Sequence, residues 1–165
     1  MNKWVIRAVL AIVCVGLGFL AWRIFFPNHE QLIRKRLTEL AEACSFPPNE
    51  LPLTSLKNCQ KAVSFCTPDV EIIVNVPNYP MEKISGREDL LQKALASRAF
   101  SGGLKVEFFD VVVKVEPDKK SAVATLTGKA RLASEKDFFL QELKFTFKRI
   151  DRDWLISRVE TVKTL

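Results

Sequence analysis

Acid–base chemistry at neutral pH needs an ionisable side chain whose pKa is set by apolar surroundings, with a hydrogen-bond donor opposite it. The chain offers few groups for that task. It has a single histidine, His29, and a single tyrosine, Tyr79. His29 falls in the first turn of an expected helix, not on a strand, and reads as an exposed helix-start residue. That leaves no histidine-based acid–base pair, and no set of side chains has metal-ligand spacing. The polar groups on expected strands are Asp110, Gln141, Arg158 and Glu160. Gln141 shares one strand face with Phe139, Leu143, Phe145 and Phe147, which makes it the best candidate for a polar group lining a pocket. With Trp154 and Ile156 facing inward, a period of two carries Arg158 and Glu160 to the same face. Asp110 can face either way, since both faces of its strand are apolar. Such groups can hold a ligand, but they do not compose an active site.

The cysteines are Cys14, Cys44, Cys59 and Cys66. Cys59 and Cys66, seven apart on one expected helix, lie roughly 10 Å from each other and cannot pair there. Cys44 can pair with either in an oxidising compartment, and small core residues are the default reading.

Positioning these side chains falls to the C-terminal block, Leu104 to Leu165, which reads as four strands of one antiparallel sheet. Residues 106–115 are rich in β-branched and aromatic side chains and end at the turn residues Pro117 and Asp118. Ala122, Ala124, Leu126, Ala130 and Leu132 then alternate with Val123, Thr125, Thr127, Lys129 and Arg131, a period of two with one apolar face. The small alanines and Gly128 on that face imply a close approach by something bulky. A third run, Phe138 to Ile150, passes through the turn Asp151-Arg152-Asp153 into a last strand from Trp154 to Lys163. Short turns imply a meander, and long strands of this kind twist and curl. Helices from the first half must cover one face.

Those helices are visible. Asn28 caps the first, whose Leu32, Ile33, Leu37, Leu40, Ala41 and Cys44 share a face. The basic Arg34, Lys35 and Arg36 lie mostly on its solvated side. Pro52 opens a second helix reaching Cys66, and residues 70–76 form a first strand closed by Pro77 and Pro80. Ser85 and Glu88 have capping-box spacing at the head of a third helix carrying Leu90, Leu91, Ala94 and Leu95.

The formal net charge is +6, but residues 1–26 supply half of it through Lys3, Arg7 and Arg23 with no acid. The near-balanced remainder is a poor electrostatic footprint for nucleic acid, so no nucleic-acid partner is expected. Ala8 to Trp22 is an uncharged run, and Trp4 to Phe26 spans roughly 34 Å as a helix, enough for a hydrocarbon core of about 30 Å. Aromatic residues near both ends suit a membrane interface. The small-x-small match Gly16-Leu17-Gly18 sits inside the apolar run, which argues against cleavage. Residues 1–26 therefore read as an uncleaved anchor, in contact with lipid through residues 4–26. Residues 27–165 read as one domain, expected on the extracytoplasmic side.

The order of elements, with Pro68-Asp69-Val70-Glu71-Ile72, Gly86-Arg87-Glu88-Asp89-Leu90 and Arg149-Ile150-Asp151-Arg152-Asp153-Trp154, resembles the nuclear transport factor 2-like superfamily. SnoaL-like polyketide cyclases and ketosteroid isomerase belong to it. The resemblance covers about residues 28–163. It implies an α+β, cystatin-like cone, a curved antiparallel sheet wrapped on helices, here preceded by one transmembrane helix. It also places Tyr79 near the cone mouth and makes Asp69 a turn-ordering residue. In layout the chain also resembles the inner-membrane subunits of type IV secretion, which carry this fold behind one span. The function expected is a membrane-anchored, non-catalytic binding or assembly module. Self-association is expected through the outer sheet face, where Thr125, Thr127, Lys144 and Thr146 lie. The alternative is a carrier or a SnoaL-like cyclase or isomerase-type enzyme holding a small apolar ligand in the cone. Tyr79, Gln141, Trp154 and Arg158 would then be the contacts, with no cofactor.

Overall fold

The structure, a computed structural model, describes residues 12–13, 28–75 and 81–162. The anchor expected over residues 4–26 and the loop holding Tyr79 lie outside the described residues, apart from Ile12 and Val13. Among the described residues no helix is long and apolar enough to cross a membrane.

Among the described residues from Asn28 on, three helices and six strands follow the expected order with one strand added: α1 (His29–Cys44), α2 (Pro52–Ser64), β1 (Cys66–Val74), β2 (Glu82–Ser85), α3 (Arg87–Ser101), β3 (Leu104–Val115), β4 (Ser121–Leu132), β5 (Phe139–Ile150) and β6 (Asp153–Thr161). Local chemistry sets the helix starts. The Asn28 side chain accepts from Gln31 N at 3.3 Å, and Pro52 opens α2, where its missing N–H costs nothing. The expected capping box at Ser85 does not form. Gly86 is the N-cap of α3, with φ at 86°, a conformation that side chains beyond glycine rarely adopt.

The strands form one sheet in the order β2-β1-β6-β5-β4-β3. β3 to β6 are the expected antiparallel meander, but β1 runs parallel to β6, so the sheet is mixed rather than wholly antiparallel. β2 was not expected. It is a short edge strand pairing with β1. Cys66 opens β1 and does not end α2, because Phe65 breaks the helix and its carbonyl accepts from Ile156 N at 2.8 Å.

The core lies between α1 and the concave sheet face. Ile33, Leu37, Leu40 and Ala43 meet Ala122, Ala124, Leu126, Phe145, Phe147, Trp154 and Ile156. The small side chains of β4 make room, as their pattern implied. Phe145 and Phe147 stand beside the alanines in register, and a Cβ on Gly128 would come within 2.9 Å of Leu143 Cδ1.

Two bulges break the period of two. In β3 the register skips between Phe109 and Val112, and Asp110 takes φ 51°. This places Asp110 in solvent, so it faces neither sheet surface as an ordinary strand residue. Arg34 of α1 donates to the Val111 carbonyl at 2.6 Å, which ties the helix to the bulge. In β6 the register passes from Phe147–Ile156 to Thr146–Arg158, skipping Ser157, whose hydroxyl donates to the Thr146 carbonyl at 3.2 Å. An extra residue reverses which side chains face inward beyond it.

Candidate functional site

The concave face is the natural place for a ligand, and its narrow end is closed. Phe147 is fully buried and Phe145, Trp154 and Ile156 nearly so. Trp154 is therefore a core residue, and its indole Nε1 donates to His29 Nδ1 at 3.3 Å. This corrects the reading of His29 as an exposed helix-start residue. It is half-buried, edge-on to Trp154 at 5.7 Å between ring centres. Desolvation, then the charges of Arg149 and Lys119, hold its pKa below the ordinary value, which keeps the imidazole neutral and able to accept.

At the opposite, wide end the helical cover thins. Phe139 pairs with Ala130 on the inner face yet is 64% exposed, beside exposed Phe138 and Leu140. Gln141 lies on this face, as expected, and its amide donates to the carbonyls of Val162 at 3.1 Å and Glu142 at 3.2 Å. Its donor capacity is already used by backbone.

Arg158 does not line the cone. The β6 bulge turns it, with Glu160, to the outer face, and Val159 faces inward against Phe145 instead. There Arg158 joins an ion-pair ladder across β2, β1, β6 and β5. Lys83 meets Glu71 at 2.7 Å, Arg158 meets Glu71 and Glu160 at 3.0 Å each, and Lys144 meets Glu160 at 2.9 Å. Hydrogen bonding to Lys83 holds the Glu71 carboxyl below its usual range, and Lys144 followed by Arg158 does the same for Glu160.

The cone interior is poor in titratable groups. Among the described strands the inner-face carboxylate is Glu82, exposed on edge strand β2 and ion-paired to Lys93. The thiols are no substitute. Cys44, Cys59 and Cys66 are free, and burial pushes Cys44 up to about 11 and Cys66 up to about 12, so both stay protonated and unreactive. Among the described residues no group of His, Cys, Asp and Glu has the arrangement of a metal site.

Two surface openings flank the core. An apolar groove of about 670 Å³ runs between α1 and β3, lined by Leu37, Ala41, Val106, Phe108 and Val111 with Arg34 at its rim. A second opening of about 420 Å³ lies among α2, α3 and the 46–50 loop. Its floor holds a feature that sequence reasoning missed, the ion pair of Arg98 with Glu50, each side chain only 7% exposed. Arg98 also donates to the Ala43 carbonyl and stacks 4.5 Å over the Phe46 ring, while Asn58 donates to Glu50 at 2.8 Å. Both Glu50 oxygens and both terminal nitrogens of Arg98 are thus engaged within the protein, fixing the loop to both helices.

No protein-family profile and no curated protein matches the sequence. Solved structures match in fold. A nuclear transport factor 2-like protein with a cystatin-like fold from Novosphingobium aromaticivorans is 16% identical over 88% of each chain, with TM-score 0.63. The yeast UBP3-associated protein BRE5 is 14% identical over 84% of this chain and all of its own, with TM-score 0.62. A candidate dehydratase of the nuclear transport factor 2-like family from Streptomyces avermitilis is 19% identical over 85% of this chain and 99% of its own, with TM-score 0.59. The chain therefore has the cystatin-like, nuclear transport factor 2-like α+β fold, with a curved six-stranded sheet and three helices among the described residues from Asn28 on. That fold carries enzymes and binding modules alike, so the site has to decide the function.

Proposed function

We propose that this protein is a membrane-anchored, non-catalytic binding or assembly module. Residues 1–26 hold it in the bilayer, and the domain of residues 27–165 stands on the extracytoplasmic side. The observation that carries the non-catalytic reading is the concave face. Its narrow end is packed with Phe145, Phe147 and Trp154, and the side chains of Gln141 and Trp154 already donate to protein acceptors. An acid–base enzyme would keep an ionisable group inside with a free donor opposite. Self-association through the outer sheet face is part of this reading, as is the absence of any nucleic-acid partner.

A second reading is supported by the α1–β3 groove. Its size and apolar lining suit a small hydrophobic ligand, as a carrier or a cyclase or isomerase-type enzyme would require. Titration with an environment-sensitive apolar fluorophore separates the two. The module reading expects no saturable binding to the full chain in detergent. Saturable binding abolished by Ala41→Trp, a substitution at the groove wall, would replace it with the carrier reading. Carbonate-resistant retention in membranes, with protease access to the domain from the outer side only, tests the anchor and its orientation.

A further inference from the structure

The first turn of α1 is fastened to the sheet by a contact that one protonation state of its residue can make and the other cannot. His29 is the first residue of the helix, and its Nδ1 accepts from Trp154 Nε1 at 3.3 Å, with the two rings edge-on. A neutral imidazole has one nitrogen free to accept; once protonated, both nitrogens are donors. Donor would then face donor. Trp154 is 2% exposed, so losing that acceptor leaves a buried N–H unpaired unless the ring moves away.

The surroundings act in the same direction. Arg149 is the cross-strand partner of Trp154, and its backbone N donates to the Lys120 carbonyl at 2.7 Å, which brings the β3–β4 turn alongside. The Nε of Arg149 is enclosed and has no hydrogen-bond partner among the described residues. Desolvation, then the charges of Arg149 and Lys119, oppose a proton on the ring. As a whole the two turns are nearly balanced, with Glu116, Asp118, Asp151 and Asp153 against Lys119, Lys120, Lys148, Arg149 and Arg152. The acids closest in sequence to the contact are engaged elsewhere. Glu30 binds Arg34, Asp153 binds Arg36, and Asp118 accepts from the backbone of Lys120 and Ser121.

Little else holds this turn. Asn28 caps Gln31 and Glu30 bonds Arg34, both within the helix, while Gln31 is exposed and Leu32 is 43% exposed. From Ile33, which is fully buried, the helix is part of the core, and Arg34 and Arg36 tie it to Val111 and Asp153. Among the described residues, the bond from Trp154 is thus the polar tie between residues 28–32 and the sheet. We propose that His29 is an acid-sensitive latch: its protonation breaks the bond to Trp154 and frees residues 28–32, while α1 from Ile33 on stays in place. Release opens the indole N–H to the cleft of about 200 Å³ between α1 and the β5–β6 turn, of which Leu32 and Trp154 are walls. It also loosens the point where residues 1–27 join the domain. The latch is independent of what those residues do and of the module reading.

The test is a pH titration of the full chain in detergent by nuclear magnetic resonance. The chain has a single histidine, so the ring nitrogen signals belong to His29, and Trp4→Phe with Trp22→Phe leaves Trp154 as the remaining indole. Amide exchange, corrected for the intrinsic rate at each pH, is followed at Gln31 and Leu32, whose N–H groups bond to Asn28. At pH 8 the ring should carry its proton on Nε2. Ring and indole signals should then titrate together, with one midpoint below the ordinary 6.5. Below that midpoint Gln31 and Leu32 should exchange several-fold faster, with the amides of β4 and β5 unchanged. In His29→Gln, whose side-chain oxygen can accept at any pH, the indole signal and the exchange should stop responding to pH. An indole signal that ignores the histidine, or a ring that titrates while Gln31 and Leu32 keep their protection, would overturn the latch. So would loss of β4 and β5 protection at the same midpoint, which would make the event global unfolding.

Discussion

The contact between His29 and Trp154 shows how one side chain couples stability to pH. A neutral Nδ1 accepts from the buried indole, whereas a protonated imidazole presents a second donor and a charge beside Arg149 and Lys119. Because the folded-state pKa lies below the ordinary 6.5, the unfolded chain binds the proton first as pH falls. The stabilisation is complete above about pH 6.5 and declines through the window down to the lowered folded-state value. Urea midpoints between pH 8 and pH 5 should fall, and His29→Gln should flatten that slope; an unchanged slope in the variant would assign it to other groups. The glycines make a second residue-scale contrast. Gly103 has φ 112°, and a Cβ there would meet Pro48 N and Ala133 Cβ at 2.9 Å, both rigidly held. Gly128 would meet only the end of the Leu143 side chain. Gly103→Ala should cost about 2 kcal/mol or more, and Gly128→Ala well under half of that, by urea denaturation. Equal costs would mean that the 46–50 loop yields as readily as a leucine rotamer.

At the scale of elements, the meander was legible because its residues alternate and its turns carry proline, aspartate and charge. The bulges were not. An extra residue at Asp110 or Ser157 leaves composition and spacing looking regular, yet it decides that Arg158 faces outward. β2 was missed because Glu82-Lys83-Ile84-Ser85 is a polar edge segment with no alternation to read, and the parallel β1–β6 pairing is nowhere encoded locally. The Arg98–Glu50 pair escaped for a related reason. Its members are 48 residues apart, and a charge on a helix is ordinarily a solvated one. Burial changes what that pair does. Removing one partner leaves an uncompensated charge, at a cost of about 3–5 kcal/mol, while replacing both by apolar residues recovers much of the loss. Arg98→Leu alone should therefore destabilise more than Arg98→Leu combined with Glu50→Leu, in a double-mutant cycle by urea unfolding. Additive losses would show that the carboxylate is solvated and that the pair contributes little to the 46–50 loop.

For the whole molecule, α1 covers the concave face, and the cluster from Ile33 to Ile156 joins helix and sheet into one core. Residues 27–165 should accordingly unfold in one cooperative transition with the same urea midpoint as the full chain in detergent. What the domain leaves open is its convex face. The ion ladder covers β2, β1, β6 and β5 there, but β3 and β4 present Val112, 62% exposed, opposite Thr125, with Phe109, 44% exposed, one bulge away. β3 also ends the sheet, and its outer edge is held at Leu104 by Phe46, at Val106 by Ser45 and at Val111 by Arg34. Apolar side chains set in a threonine-rich surface suit a flat contact with a second copy, which needs about 800 Å² from each partner. Sedimentation equilibrium of the 27–165 domain should show a concentration-dependent dimer, and Val112→Asp should shift it to monomer without moving the urea midpoint of the monomer. A monomer at every concentration, or a dimer indifferent to Val112→Asp, would remove the sheet from the assembly and leave the mouth around Phe139 as the surface through which the module works.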